Sequence, residues 1–357
     1  MKEKSVDHLG KKQSILLLAL LTAALLVAGC AGKQAQIEMI RQKQQETTGE
    51  DEASVTETTT GEKEKIEEAS GTEDFAIFGV DTRATDLNSG TRSDSIMIVH
   101  VDHNKKSIKI ASIFRDCMVH IPGHEYQKIT HAHSFGGPEL ALETINDNFD
   151  LGLGHYMTVN FINVADLIDS MGGVEQDITD AEAGVINRCI DEINNIRKTS
   201  SAHITSEGSY TLDGTQAVAF SRIRYTAGGD YKRAERQRTI LFKVFEKAKE
   251  MGTMERLSMA DKMINQINTN YVSDDINSIL YYLSKYEIED MSAFPQVFYG
   301  GKIEGAWVEV PVTLNDMNIS LHQFLYEDEE YVPSEKAQEY SSVLYGKASS
   351  PNEDLRK

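Results

Sequence analysis

DFAIFGVD (residues 74–81), DSIMIVHVD (94–102) and KSIKIASI (106–113) are three apolar stretches that follow one another closely in the sequence. Each is a short run of large or β-branched apolar residues with polar residues at its ends, which is typical of a buried strand. The polar segment HNKK (103–106) between the last two predicts a hairpin turn. The sequence therefore predicts that these stretches form the centre of a β-sheet.

Segments with helical spacing of apolar residues alternate with further strands. GVEQDIT (173–179) and WVEVPV (307–312) read as strands, and the alternation predicts a single α/β layered domain with helices over a central sheet. We expect this domain to span residues 72–332 and residues 333–357 to be a weakly ordered tail. The predicted helices lie in segments 137–149, 160–171, 180–196, 213–224 and 231–251, with two more in 260–286.

The N-terminal segment predicts export. Basic residues precede an apolar run from Ile15 to Ala28, which is short for a membrane span of roughly 20 residues and fits a signal peptide. LVAGC then ends at Cys30 and resembles a bacterial lipobox, so we expect residues 1–29 to be a signal peptide and Cys30 to be lipidated. The alternative is an uncleaved signal anchor. Both interpretations place the chain at the extracytoplasmic face of the membrane.

Residues 30–71 are polar and rich in Glu, Gln and Thr, which predicts a flexible acidic linker. The formal net charge of the whole chain is −20, and this acidity argues against general binding to nucleic acid. Against that background FSRIRYTAGGDYKRAERQR (220–238) concentrates five arginines and a lysine. The segment predicts either a local anion site or a basic helix that faces water.

The arginine-rich segment can form a pocket if its loop folds back. Arg222 and Arg224 end one predicted helix, and Arg233 lies on the next, on the same face as Asp230 and Gln237. Arginine binds phosphate oxygens in pairs, and a helix N-terminus favours an anion. Two other arginines of that helix point elsewhere and are expected to be solvated or paired: Arg236 and Arg238.

Charged residues also stand where the predicted strands meet loops. They are Asp81 and Arg83 after the first strand, Arg92 and Asp94 before the second, and Arg115 and Asp116 after the third. Strand ends of one sheet lie side by side, so these groups can gather along one rim. The two carboxylates of Asp81 and Asp94 suit a hard divalent cation. Salt bridges with the nearby arginines remain the alternative.

Cysteine and histidine give weaker signals. Cys117 and Cys189 have no catalytic or zinc spacing, and we expect free thiols, with a disulfide as the alternative in an exported protein. His131 and His133 could share a face, but zinc needs further ligands at fixed distances. We therefore expect loop histidines at these two positions and at His120 and His124.

A series of ordered motifs carries a family resemblance. FGVDTR, TRSDSIMIVHVD, IASIFRD, KITHAHSFGG, LIDSMGGVEQDI, LDGTQAVAFSRIR and GDYKRAERQ follow one another over roughly residues 75–245. Together they resemble the LytR–CpsA–Psr family of bacterial cell-envelope glycopolymer ligases. The resemblance implies a central mixed sheet and an apolar tunnel for a polyprenyl chain, to which FINVADLIDSM and AVAF could contribute. It also implies a phosphotransferase that moves a glycopolymer phosphate from a polyprenyl-pyrophosphate carrier onto peptidoglycan, with the muramic acid 6-OH as acceptor.

The resemblance also assigns roles to residues. Asp81 and Asp94 match the positions associated with Mg²⁺, or Mn²⁺ in its place. The positions that grip the pyrophosphate are taken by Arg115, Arg222, Arg224 and Arg233. Asp230 and Gln237 match polar residues that support this grip, and one of the two metal-site carboxylates could accept the acceptor's proton. Further substrate-binding candidates nearby are Arg83, Arg92 and Lys128.

Two features depart from the family pattern. Thr130 stands where the family usually has asparagine, so that position receives no role, and we expect a lipidated Cys30 in place of the usual transmembrane anchor. Two other activities of the same site remain open, namely hydrolysis of the lipid pyrophosphate and non-catalytic carriage of a lipid-linked glycan. The acidic charge and the export signal argue against a transcriptional role. The glycopolymer itself, teichoic acid or a capsule-type glycan, is not specified.

Overall fold

The computed structural model describes residues 71–82, 87, 90–224, 229–252, 255, 266–271, 285–303 and 306–349, with backbone alone at 229, 230 and 349. The predicted signal peptide, Cys30, the predicted linker up to residue 70 and Arg83 lie outside these residues. Among the described residues, no helix combines the length and the hydropathy that a membrane-spanning segment needs.

A six-stranded mixed sheet forms the centre, as the resemblance implied. Its order is β10-β3-β2-β1-β6-β9, and the β1–β2, β2–β3 and β6–β9 pairs are antiparallel. The pairs β1–β6 and β10–β3 are parallel. The strands span Thr72–Val80 (β1), Ser93–Asp102 (β2), Ser107–Ile113 (β3), His155–Asn160 (β6), Asn268–Thr269 (β9) and Glu287–Phe294 (β10).

Three two-stranded antiparallel sheets flank the central sheet. The strand predicted at 173–179 is confirmed as Val174–Ile178 (β7), but it pairs with Gly208–Leu212 (β8) and not with the central sheet. The late strand is also confirmed, as Ala306–Pro311 (β12) paired with Phe298–Ile303 (β11). The remaining hairpin joins Met118–Ile121 (β4) to Glu125–Lys128 (β5).

Helices cover both faces of the sheet. Along β1, Phe75 and Ile77 point into one apolar cluster, and Ala76 and Phe78 point into another, as strand alternation requires. The first cluster contains side chains of α2, α3, α4 and α5, and the second contains side chains of α1, α6 and α7. The helices span Thr130–Phe149 (α1), Phe161–Ser170 (α2), Asp180–Arg197 (α3), Gly214–Ser221 (α4), Gly229–Glu250 (α5), Leu314–Tyr326 (α6) and Glu335–Ser349 (α7).

Three sequence predictions need correction here. The segment predicted as a weakly ordered tail contains α7, in which Leu344 is buried in the second cluster. His131 and His133 lie in the first turn of α1 and not in a loop, because the helix begins at Thr130 and kinks only at Gly136 and Gly137. In the segment predicted as two helices, the described residues 266–271 contain β9, and the other residues up to 284 lie outside the described part.

Candidate active site

Asp94 is the centre of a cluster of arginines at one end of the central strands. Because β1, β2 and β3 are successively antiparallel, the end of β1, the start of β2 and the end of β3 lie side by side there. The Asp94 Oδ1 atom accepts a hydrogen bond from Arg115 Nη1 at 2.8 Å. Its Oδ2 atom accepts from Arg233 Nη2 at 2.9 Å and from Arg224 Nη2 at 3.2 Å. Three guanidinium groups from separate segments thus converge on one carboxylate.

The charge of Asp94 is fixed by these neighbours. Burial alone would raise the pKa of its carboxyl, but Arg233, Arg115 and Arg224 outweigh burial and lower that pKa to about 2. Asp94 is therefore ionised throughout the neutral range. Arg233 is almost completely buried, so its position is defined by packing as well as by charge.

Arg222 forms the second part of the cluster. Its guanidinium nitrogens contact both Asp81 carboxylate oxygens at 3.4 Å and Glu192 Oε1 at 3.4 Å. The guanidinium also lies over the Phe161 ring, 5.0 Å from the ring centroid. The plane of Arg222 is thus held between carboxylates and an aromatic face.

The position of α4 places Arg222 in the site. The side chain of Asp213 caps α4 by accepting from the Gln216 amide at 2.8 Å, and Arg222 is the residue at the other end of that helix. α4 lies directly against α2, since a Cβ at Gly214 would come within 1.9 Å of the Ala165 carbonyl oxygen. Only glycine permits this approach, and it fixes the helix end that carries Arg222.

The arginine cluster stands at the mouth of a cavity of about 150 Å³. Asp81, Asp94, Arg222 and Arg233 line its polar part, together with Gln237. The remainder is largely apolar and is lined by side chains of β1, β2, β6, α2, α4 and α5, among them Ile77, Met97, Val159, Phe161, Val164, Val218, Ile240 and Leu241. The arrangement suits a ligand with an anionic head and an apolar tail.

The ordered motifs can now be compared with known proteins. The model of the LytR_cpsA_psr family matches residues 37–315 of the 357-residue chain. The chain belongs to this family.

Relatives of this LytR_cpsA_psr protein are named as teichoic acid transferases. It is 28% identical over 206 residues to a polyisoprenyl-teichoic acid–peptidoglycan teichoic acid transferase, TagU, of Enterococcus faecalis, covering 57% of this chain and 63% of that protein. It is 30% identical over 188 residues to the transferase TagT of Bacillus subtilis, covering 52% and 56%. The chain thus spans less than two thirds of the length of these relatives.

Solved structures share the fold. A protein from Streptococcus agalactiae, gbs0355, superposes with a TM-score of 0.61 at 21% identity, covering 76% of this chain and 95% of that one. A structure described as TagT bound to LIIa-WTA gives a TM-score of 0.52 at 23% identity, covering 77% and 90%. At these identities the likeness concerns the fold alone.

In this LytR_cpsA_psr protein, most of the predicted site residues come together. Arg115, Arg222, Arg224 and Arg233 converge with Asp81 and Asp94, and Gln237 lies one turn after Arg233 in the same cavity wall. The side chain of Asp230 and the whole of Arg83 lie outside the described part of the structure. The prediction that AVAF and the first residues of FINVADLIDSM line an apolar space agrees with Val218, Phe161 and Val164 in that wall.

Two further candidates do not line the cavity of the LytR_cpsA_psr protein. Lys128 donates to Asp116 Oδ1 at 2.7 Å, next to Arg115. Arg92 is exposed near His131, whose pKa is lowered by burial and by the charges of Arg92 and Lys128. These two cations border the site, and their assignment as substrate-binding residues stays a prediction.

Arg236 and Arg238 are buried, and neither is solvated. Arg236 is paired, donating from Nε to Glu182 Oε1 at 2.8 Å, whereas burial lowers the pKa of Arg238. Cys117 and Cys189 are free, as expected. Within the described residues no group of three or more histidine, cysteine and acidic side chains could hold a metal ion, which gives the zinc interpretation no support.

The buried His133 ring contacts the Thr91 carbonyl oxygen at 2.9 Å and Thr158 Oγ1 at 3.3 Å.

Sequence reasoning missed Glu192, which faces Arg222 from α3, and also Ser95, Ile240 and Leu241 in the cavity wall. Glu192 gave no signal because an acidic residue on a polar helix face is commonplace. Ile240 and Leu241 read as ordinary core residues for the same reason.

Proposed function

We propose that this chain is an extracytoplasmic, membrane-anchored phosphotransferase that moves a glycopolymer phosphate from a polyprenyl-pyrophosphate carrier onto peptidoglycan. One observation carries the proposal: Arg222 and Arg233 line a cavity whose interior is apolar, and Arg115 and Arg224 join them through the Asp94 carboxylate. Pyrophosphate esters are anionic at one end, and the polyprenyl chain is apolar at the other. The names of the TagU and TagT relatives support the same substrates.

The arginines supply electrostatic stabilisation. They already lie in place around Asp94 and Asp81, so little reorganisation is needed when phosphate oxygens replace or join these carboxylates. Phosphoryl transfer spreads negative charge over the oxygens of the attacked phosphorus, and planar guanidinium groups match those oxygens two at a time. The cluster thus stabilises the transition state more than the ground state.

The proposed step exchanges one bond at phosphorus for another. The acceptor hydroxyl oxygen, the muramic acid 6-OH in this proposal, bonds to the phosphorus that carries the glycan. The bond from that phosphorus to the bridging oxygen breaks, and polyprenyl phosphate leaves with the electron pair. Asp94 is a poor proton acceptor because its pKa is about 2 and both its oxygens already accept from arginines. Asp81 is a poor acceptor as well, since it would hold the metal ion described next, so we assign the hydroxyl proton to solvent water at the site.

The donor set at the mouth fits a hard divalent cation. Asp81 and Asp94 line the same cavity, and Asp94 is ionised, which is what Mg²⁺ or Mn²⁺ requires of carboxylate ligands. In this proposal Asp81 and Asp94 are the residues that would hold the ion. A bound ion would neutralise charge on the phosphate oxygens. Export and lipidation at Cys30 belong to the same proposal.

Product analysis tests this function. Full-length protein in detergent is incubated with Mg²⁺, a polyprenyl-pyrophosphate disaccharide and purified peptidoglycan. We expect the disaccharide to become linked to peptidoglycan through a phosphodiester, and expect chelation by EDTA to reduce the rate. Release of disaccharide phosphate at the same rate without peptidoglycan would identify a hydrolase. Binding of the lipid without turnover would identify a carrier of the lipid-linked glycan.

A further inference from the structure

The arginine cluster can be approached from a second side. A small notch of about 20 Å³, large enough for a water molecule, lies between β2, β3 and α5. It shares Asp94, Ser95, Arg233 and Gln237 with the large cavity, and its other walls come from β2, β3 and α5 and include Phe114 and Arg115, which follow β3. The large cavity extends from the cluster towards β1, β6, α2 and α4. The two spaces therefore meet at Asp94, Ser95, Arg233 and Gln237, and away from these residues they are lined by different parts of the fold.

Beyond the notch lies a row of aromatic rings. The buried Phe114 ring contacts Tyr231 edge-on with centroids 6.2 Å apart, and it contacts Phe298 in the same way at 5.8 Å. A Cβ at Gly300 would lie 2.7 Å from Trp307 Cζ2 and 3.7 Å from Phe298 Cε2, so both rings border this glycine. We call Tyr231, Phe298 and Trp307, with Phe114 beneath them, the aromatic platform.

The aromatic platform is exposed yet firmly attached. Tyr231, Phe298 and Trp307 are 52%, 36% and 50% exposed, although rings of this size are usually buried. The hairpin that carries two of them is tied to the residue after Arg115, because the Glu309 amide donates to the Asp116 carbonyl oxygen at 2.9 Å. Phe298 and Trp307 are therefore held next to the arginine cluster by this backbone hydrogen bond, and Tyr231 by its place on α5, two residues before Arg233.

We propose that the aromatic platform is the subsite for the glycan strand of the acceptor. Exposed aromatic rings pack against the apolar C–H faces of pyranose sugars, whose hydroxyl groups remain free for water and polar side chains. A row of such rings can hold successive sugars of a linear glycan. The platform is continuous with the cluster through Phe114 and Arg115, so a bound strand can place a hydroxyl at the notch.

The direction of the reaction assigns the platform to the acceptor and not to the donor glycan, and this step rests on the function proposed above. In phosphoryl transfer the attacking and leaving oxygens are roughly in line on opposite sides of phosphorus. Polyprenyl phosphate leaves towards the large apolar cavity, so the attacking hydroxyl arrives from the opposite side. The notch and the aromatic platform are the approach to the cluster that the structure offers away from the apolar walls of the large cavity.

The only tryptophan of the chain is Trp307, so its fluorescence reports directly on the platform. Full-length protein in detergent is titrated with soluble, uncross-linked glycan strands prepared from peptidoglycan, without lipid donor. We expect a saturable change in tryptophan emission. Tyr231→Ala and Phe298→Ala should each weaken binding about tenfold. Tyr299→Ala is the matched control, since Tyr299 neighbours Phe298 in β11 but points to the opposite face of the hairpin.

Transfer kinetics separate the possible occupants of the platform. Tyr231→Ala and Phe298→Ala should raise the KM for peptidoglycan about tenfold and leave the KM for the lipid donor unchanged, and Tyr231→Phe should restore the acceptor KM. A raised donor KM alone would assign the platform to the donor glycan and overturn the inference. An equal fluorescence response to vesicles that carry no glycan would assign it to the membrane surface and also overturn it.

Failure of this inference can be distinguished from failure of the proposed function. Transfer by the wild type without any saturable response to glycan strands would overturn the subsite and leave the transferase standing. A saturable response that depends on Tyr231 and Phe298, in a protein that transfers nothing, would support the glycan site and contradict the proposed transferase function.

Discussion

Arg233 contributes to the site as a buried cation whose carboxylate partner is only 2.9 Å away. Replacing it by alanine leaves Asp94 with two arginine partners and removes one guanidinium group, proposed to bind phosphate, from the cavity wall. We expect Arg233→Ala to lower the transfer rate by about 10²–10³-fold, the usual effect of removing one donor that stabilises transition-state charge.

The control for this change is the neighbouring Lys232→Ala. Lys232 lies on the same helix but is exposed and pairs with Glu235, so its loss should leave the transfer rate within about twofold, as expected for a surface ion pair. Assays of the two variants at equal folded concentration, verified by circular dichroism, make the comparison. Equal losses in both variants would contradict a specific role for Arg233.

Gly214 permits the close approach of α4 to α2. A Cβ added there meets the backbone of Ala165 at 1.9 Å, which a side-chain rotation cannot relieve. We expect Gly214→Ala to lower the free energy of unfolding by about 3 kcal/mol or more, as for overpacked cores, measured by urea denaturation. Gly184→Ala is the matched control, since its Cβ meets nothing within 4 Å in the middle of α3, and it should stabilise by about 0.5–1 kcal/mol. Stabilisation by both changes would show that the helices can separate without cost.

At the scale of elements, Glu182 connects two helices. It completes the capping box of α3 with Thr179, and it also accepts from Arg236 of α5 at 2.8 Å. Burial would raise its pKa, but hydrogen bonds from the Thr179 backbone and from Arg236 outweigh burial and lower the pKa. Glu182→Gln keeps a capping oxygen but leaves the buried Arg236 without this counter-charge. We expect it to destabilise the protein by about 2 kcal/mol at neutral pH.

The pH dependence of this effect has a defined sign. A carboxyl whose pKa is lowered by folding contributes stability above its unfolded value, and that contribution is lost as the pH falls through the folded value. The difference in unfolding free energy between wild type and Glu182→Gln should therefore be full at pH 7 and shrink below about pH 4.5. Urea denaturation across this range measures it, and a constant difference would contradict a charge-dependent role.

The elements that sequence could predict are those with a strong apolar signal. β1, β2 and β3 are buried on both faces and read as unbroken apolar runs. α7 escaped prediction because its buried stripe, Ala337, Ser341 and Leu344, has helical spacing but contains only one large apolar residue. β9 has only two residues and carries no pattern of its own.

The site was predictable to the extent that its residues sit in ordered motifs. Arg115 after β3, Arg224 after α4 and Arg233 in α5 could be named from sequence. Their meeting on Asp94 depends on the pairing of three strands and the packing of two helices. The aromatic platform gave no local signal, because Phe114, Tyr231 and Trp307 are far apart in sequence and each alone resembles a core residue. Only the docking of the β11–β12 hairpin after Arg115 brings them together.

For the whole molecule, the sheet separates a face that carries the cavity from a face closed by α1, α6 and α7. Leu344 of α7 is 1% exposed in this closed face, so Leu344→Ala should cost about 2–5 kcal/mol of unfolding free energy. The transfer rate per folded molecule should not change. Thermal and urea denaturation measure the first expectation, and transfer assays at low temperature measure the second.

The matched control is Val343→Ala. Val343 is next to Leu344 but is 38% exposed, and its truncation should change the unfolding free energy by less than about 0.5 kcal/mol. A small cost for Leu344→Ala would mean that α7 is not part of the cooperative domain. Such a result would return the boundary near residue 332 that the sequence predicted.

The cavity on one face of the sheet has a consequence for the dynamics of the protein. Val159, Ile240 and Leu241 belong to a hydrophobic cluster and at the same time form the wall of the cavity, so any occupant becomes part of that cluster's interior. A hydrocarbon chain that enters would give these side chains neighbours on a side where they now have few. Amide protons of β1 and β6 should then exchange with solvent more slowly, while those of α6 and α7 keep their rates. Loading and unloading of substrate would thus stiffen and soften one half of the protein while the other half stays a constant support.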